Sequence, residues 1–133
     1  MFYDMIKCPD KMNQALHNIT ETLKEFSIAL IEAGCCAIMF DTLYSSKTTL
    51  SPKMWDKGEG PLVEDLAETV REHGAEVMVH NCGDGIYLKE QIARMHPIAF
   101  SLDHLPPDCE TLEEMKAMYG DQTTFIGLIE PGW

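Results

Sequence analysis

The chain has 133 residues, with 22 acidic side chains against 10 basic ones and a formal charge of −12. That length holds one domain, and a composition of 45% hydrophobic and 24% charged residues excludes a wholly disordered, collagen-like or low-complexity protein. So acidic a surface repels phosphate backbones and anionic lipid, so neither nucleic acid nor a membrane is expected as a partner.

The first periodic segment predicts a helix from Asn13 to Ala33. Leu16, Ile19, Leu23, Phe26 and Leu30 recur at intervals of three and four on one face, and Gly34 follows as a left-handed helix stop. Cys36-Ala37-Ile38-Met39-Phe40 is a short apolar run that meets Asp41, as a parallel strand buried on both faces would. Residues 42–60 read as a long connection of the kind that often carries function. Pro61 then opens a second helix, with Leu62, Leu66 and Val70 stacked along it and His73-Gly74 at its end.

Glu76-Val77-Met78-Val79 is the second predicted strand, ending in His80-Asn81-Cys82-Gly83. A shorter helix carries Leu88, Ile92 and Met95, and Ile98–Leu102 is the third strand, ending in Asp103-His104. Thr111-x-x-Glu114 is a capping box. The helix behind it bears Leu112, Met115 and Met118 and stops at Gly120. Thr124–Ile129 is the fourth strand, ending at Glu130-Pro131.

Alternating helices and strands of this size imply parallel βαβ units with right-handed crossovers. Each strand ends in chemically capable residues: Asp41, His80 with Cys82, Asp103 with His104, and Glu130. Barrel enzymes place their working groups at that end of several strands, whereas an open sheet gathers them at one switch point. No glycine-rich phosphate fingerprint follows the first strand. The expected fold is therefore α/β, a partial TIM-type barrel spanning residues 1–133 as a single domain. Four strands are half of the eight in a closed barrel, so the chain reads as a fragment or as one half of an assembly. Unpaired strand edges invite another chain, and a homo-oligomer is expected.

No run reaches the roughly 18 apolar residues of a spanning helix, and MFYDMIKCPD lacks the pattern of a signal peptide, so the expected location is cytoplasmic. The five cysteines, at 8, 35, 36, 82 and 109, are odd in number and without a secreted framework. They are expected to be reduced. The nine methionines read as core filler.

His80 and Cys82 are the sharpest chemical feature. Side chains at i and i+2 of a strand share a side, and imidazole nitrogen with thiolate sulfur is a donor pair that zinc prefers. The alternative is a packed Cys beside a hydrogen-bonded His. A catalytic zinc takes about three protein ligands, and Asp41, Asp103, His104, Cys109 and Glu130 are candidates for the remainder. Cys8, Cys35 and Cys36 lie at or before the wrong end of the first strand. Asp41 and Asp103 are the candidate catalytic carboxylates, with turn-capping as the simpler role for each. His17, His73 and His96 read as surface or capping groups, and Trp55 as packing under the long connection.

Ile31-Glu32-Ala33-Gly34, the apolar strand ending at Asp41, Leu50-Ser51-Pro52 with Trp55, His80-Asn81-Cys82-Gly83, and Gly127-Leu128-Ile129-Glu130-Pro131 together resemble the uroporphyrinogen decarboxylase superfamily. The resemblance runs over nearly the whole chain and covers the C-terminal half of a barrel without the last strand. His-x-Cys-Gly is similar to the zinc-binding branch, the methylcobamide:coenzyme M and related corrinoid methyltransferases. The resemblance implies that His80 and Cys82 are zinc ligands, with a further Cys from a later strand that has no counterpart here. It also implies a methylated corrinoid such as methylcobalamin as methyl donor, a small thiol as acceptor, and a corrinoid protein as a possible partner. A zinc-bound His needs an acceptor for its other nitrogen, and Asp41 and Asp103 are the nearest candidates. Tetrapyrrole decarboxylation is the alternative, although 10 basic residues are few for a polycarboxylate substrate and the arginine-rich N-terminal segment of the decarboxylases has no match. A non-catalytic half-barrel module is the third reading.

Overall fold

The computed structural model describes residues 2–128. Helices α1 (Phe2–Lys7) and α2 (Pro9–Glu32) lead into β1 (Ala37–Asp41). There follow α3 (Pro52–Lys57), α4 (Glu59–Glu72), β2 (Glu76–Asn81), α5 (Leu88–Met95), β3 (Ala99–Leu102), α6 (Leu112–Tyr119) and β4 (Thr124–Gly127). The strands form one sheet in the order β1-β2-β3-β4, and each neighbouring pair is parallel.

That order decides between the two architectures compatible with the sequence. A doubly wound sheet reverses its strand order at a switch point and carries helices on both faces. Here every crossover steps to the next strand in the same direction. Right-handed crossovers then put the connecting helices on one face. This is the winding of a TIM-type barrel, and the described residues form a partial one.

Burial follows from the winding. Val77, Val79, Phe100 and Leu102 are at most 1% exposed and point into the helical layer, where they meet a core that includes Val70, Ile92, Met95 and Met115. The opposite face is the inward face of a barrel, and four strands leave it open: Met39 is 52% exposed and Ile126 46%. The sequence reading of the first strand as buried on both faces is thus corrected, because an apolar run also suits a barrel strand whose inner face awaits the rest of the ring.

The helices differ from expectation in several places: α1 precedes the first expected helix, and α4 begins at Glu59, so Pro61 is its third residue rather than its first. Helix α2 begins at Pro9 rather than Asn13, because Pro at the first turn loses no hydrogen bond there. Its apolar stripe is not the docked one: Ile19, Leu23 and Phe26 are exposed, while Thr20 and Ser27 are buried. Thr20 solves its burial by donating to the Leu16 carbonyl. The docked side packs on α4, where Lys24 pairs with Asp65 at 2.5 Å. The connection 42–60 also contains α3. Ser51 caps that helix by accepting from the Met54 amide at 3.3 Å, and Pro52 stands at its start.

The helix stops hold. Past α4, Gly74 adopts φ +84, its amide donates to the Arg71 carbonyl, and the Ala75 amide donates to Val70. This is the paired pattern that a left-handed glycine closes, and Gly34 repeats it after α2. Thr111 accepts from the Glu114 amide, and Glu114 reaches back to the Glu110 amide.

Candidate functional site

The C-terminal ends of the strands gather the polar residues in one row. Asp41 of β1 pairs in register with His80 of β2, His80 with Ser101 of β3, and Ser101 with Ile126 of β4. These four lie on the open face. Strand β2 alternates between buried Val77, Val79, Asn81 and half-buried Met78, His80, and the half-buried Cys82 continues the alternation one residue past the strand. His80 and Cys82 therefore share the barrel-facing side at the mouth, as their spacing requires.

His80 Nδ1 lies 3.1 Å from Ser101 Oγ. The acceptor expected for this ring was Asp41 or Asp103; the structure puts a hydroxyl there instead. Asp41 is exposed, and its Oδ1 accepts the Leu43 amide at 3.2 Å, which caps the turn leaving β1. Asp103 is half-buried one residue past β3, and His104 beside it is exposed. Cys109 is not brought to the mouth. It is buried beside α6 with Sγ 3.7 Å from Met118 Sδ, and burial, followed by the charges of Asp108 and Glu114, raises its thiol pKa. Cys35 and Cys36 lie at the opposite end of β1, as expected; both are exposed, and the strand starts at Ala37 rather than at Cys36. Glu130 lies outside the described residues.

Sequence reasoning did not assign a role to Asn81. Its parity in β2 points it into the core, where it is fully buried. Its Nδ2 donates to the Thr42 carbonyl at 2.7 Å and lies 3.3 Å from Thr42 Oγ1 and 3.4 Å from the Ser45 carbonyl, while its Oδ1 accepts the Gly83 amide at 2.9 Å. One carboxamide thus ties the loop after β1 to the turn that carries Cys82. Thr42 completes the tie: its amide and hydroxyl both donate to the His80 carbonyl, and its Oγ1 accepts from Gln91 Nε2 at 2.9 Å. A Cβ on Gly83 would sit 2.9 Å from the Leu43 carbonyl, so this close approach of the two loops requires glycine. The signal was a polar residue at a core-facing strand position, directly before a Cys-Gly turn.

The loop 42–51 is fastened along its length. Ser46 forms an antiparallel bridge with Ile86, and Tyr87 OH donates to the Leu50 carbonyl at 2.7 Å. Trp55 is buried, donates from Nε1 to Ser45 Oγ at 2.9 Å and stacks on Tyr87, with ring centroids 5.4 Å apart. It packs beneath the connection, as the sequence suggested.

His80 and Cys82 offer the nitrogen and sulfur that zinc takes. Among the described residues no group of three or more His, Cys, Asp or Glu side chains could hold a metal ion. The fit is therefore that of two donors to a site that needs more. Among the described residues, too, no helix is long and apolar enough to cross a membrane.

Comparison with known proteins gives one match. A family model described as uroporphyrinogen decarboxylase (URO-D) matches residues 1–133. No curated protein and no solved structure matches. Sequential parallel strands, polar groups at the strand ends and a family model covering the chain from end to end agree: the chain belongs to the uroporphyrinogen decarboxylase (URO-D) family.

Proposed function

We propose that this chain is a domain of a zinc-dependent methyltransferase that moves a methyl group from a methylated corrinoid to a small thiol. The observation that supports it is the pairing of His80 and Cys82 on the open face at the strand ends. Ser101 would hold the imidazole by Nδ1, which leaves Nε2 for the metal. The reading takes the remaining protein ligand from outside the described residues. Bound there, zinc would supply Lewis acidity, under which a coordinating thiol is deprotonated outright.

The chain's own residues bind and orient. Asn81 and Thr42 hold the ligand-bearing end of β2 against the loop after β1. Asp41 and Asp103 flank the pair at the ends of β1 and β3 and are assigned to orient the thiol and take up its proton. A methylated corrinoid held at the mouth would supply the methyl group to the thiol that His80, Cys82 and the metal position, and would keep the electron pair of the bond it gives up. The test is metal content and methyl transfer from methylcobalamin to a small thiol, in the chain as it stands and in Cys82→Ala. Transfer without zinc, or zinc without Cys82, would contradict the reading.

The family description favours a second reading, tetrapyrrole decarboxylation, in which the exposed Asp41 at the mouth would face a pyrrole ring. Saturable binding of a uroporphyrin, lost in Asp41→Asn, would support it. The open sheet face, with Met39 and Ile126 exposed, supports a third: a half-barrel that assembles with another copy of itself.

A further inference from the structure

Away from the strand ends, the loop 42–51 has a second side. There a cavity of about 190 Å³ opens between α1, α2 and the start of α4. Its walls are Met5, Met12, Leu16, Leu50 and Leu62 with Tyr44, and the carboxylate among them is Glu59. A dry cavity of roughly 150 Å³ accepts a benzene ring, so this one holds a single aromatic ring or a short alkyl chain.

Glu59 is unusual among the acids of this chain. It is half-buried in the first turn of α4, and burial raises its pKa against the opposing hydrogen bond from Ser45. Ser45 Oγ in turn accepts from Trp55 Nε1, so the carboxyl ends a chain of hydrogen bonds rooted in the core. No ion pair joins Glu59 to a Lys or Arg among the described residues; their ion pairs use Glu21, Asp56, Glu64 and Asp65. A carboxyl fixed by the protein, without an ion pair among the described residues and facing an apolar hollow, is the composition of a ligand pocket.

We propose that this cavity binds a small amphipathic amine, its ring or alkyl body against Met12, Leu16 and Leu62 and its ammonium against Glu59. Charge complementarity selects the amine: the hollow offers one anion, and a protein of charge −12 concentrates cations around it. The site is distinct from His80 and Cys82 and stands whether or not zinc binds there. It shares their scaffold, because the Ser45 that holds Glu59 belongs to the loop that Asn81 ties to β2.

The test is titration of the full chain, with no metal added, by 2-phenylethylamine and separately by 2-phenylethanol, followed by amide NMR shifts. The amine is expected to saturate and to move the signals of Leu50, Glu59 and Leu62, with the alcohol binding about tenfold more weakly for want of a charge-assisted hydrogen bond. Glu59→Gln should weaken the amine by a similar factor, and Leu16→Trp, which fills the cavity from α2, should abolish its binding. Equal binding of amine and alcohol, undiminished binding by Glu59→Gln, shifts confined to other surfaces, or no shifts at all would each overturn the proposal.

Discussion

Ser101 Oγ stands 3.1 Å from His80 Nδ1, across the register that joins β2 to β3. A hydroxyl rather than a carboxylate orients the imidazole. Ser101→Ala is expected to weaken zinc by roughly tenfold, the low end for loss of such a partner, while thermal unfolding stays near that of the parent. A zinc titration and a melting curve on the same sample check both parts.

Asn81 is the structural key to the mouth. Asn81→Ala strips donors from Thr42 and Ser45 and the acceptor from the Gly83 amide, in a place closed to water. The expected cost is about 3 kcal/mol, read by urea unfolding. Asn81→Asp keeps the acceptor for Gly83 but faces two carbonyls with a carboxyl group, so it should fall between the parent and the alanine variant near neutral pH only if it takes up a proton.

Much of this was legible in advance, and the exceptions have physical causes. Four strands, their polarity and the crowding of polar groups at one end follow from apolar runs and their punctuation. His80 and Cys82 were placed on one side by strand parity alone. Parity also held the role of Asn81, but a buried carboxamide is recognisable only when its partners, from 36 to 39 residues earlier in the chain, are seen beside it. Helix α2 misleads for a different reason. Its apolar stripe of Ile19, Leu23 and Phe26 has the period of a core face, yet periodicity cannot say against what a face packs. Helix α3 was hidden by its six residues, too few to show a period, although Ser51-Pro52 marked its start.

Buried phenols and a buried thiol are expected to set the alkaline limit of stability. Burial, then the hydrogen bond to Asp108, raises the Tyr119 phenol above its ordinary 10.0. Burial also raises Tyr87 above 10.0 and Cys109 above 9.0. Groups that hold their protons more tightly when folded contribute stability that is intact below the unfolded values and is lost as pH rises through the folded ones. Unfolding free energy should therefore decline from about pH 9 upward, and Tyr119→Phe should flatten the decline. Urea titrations at stepped pH check the slope.

The open sheet face carries its own prediction. Met39 and Ile126 sit exposed on the inward side of a barrel wall, and Ile19, Leu23 and Phe26 extend apolar surface along α2. At micromolar concentration the chain should sediment as a dimer or larger species. Met39→Lys with Ile126→Lys should shift it toward monomer, since charges on the inner face resist packing. A compact monomer for the parent would argue against assembly through this face.

The most direct test of the account is elemental analysis of the purified chain after equilibration with zinc, beside Cys82→Ala treated alike. The expected result is zinc bound by the parent, one ion per complete site, and lost from the variant while its circular dichroism is unchanged. Equal zinc in the two proteins, or none in the parent, would contradict it.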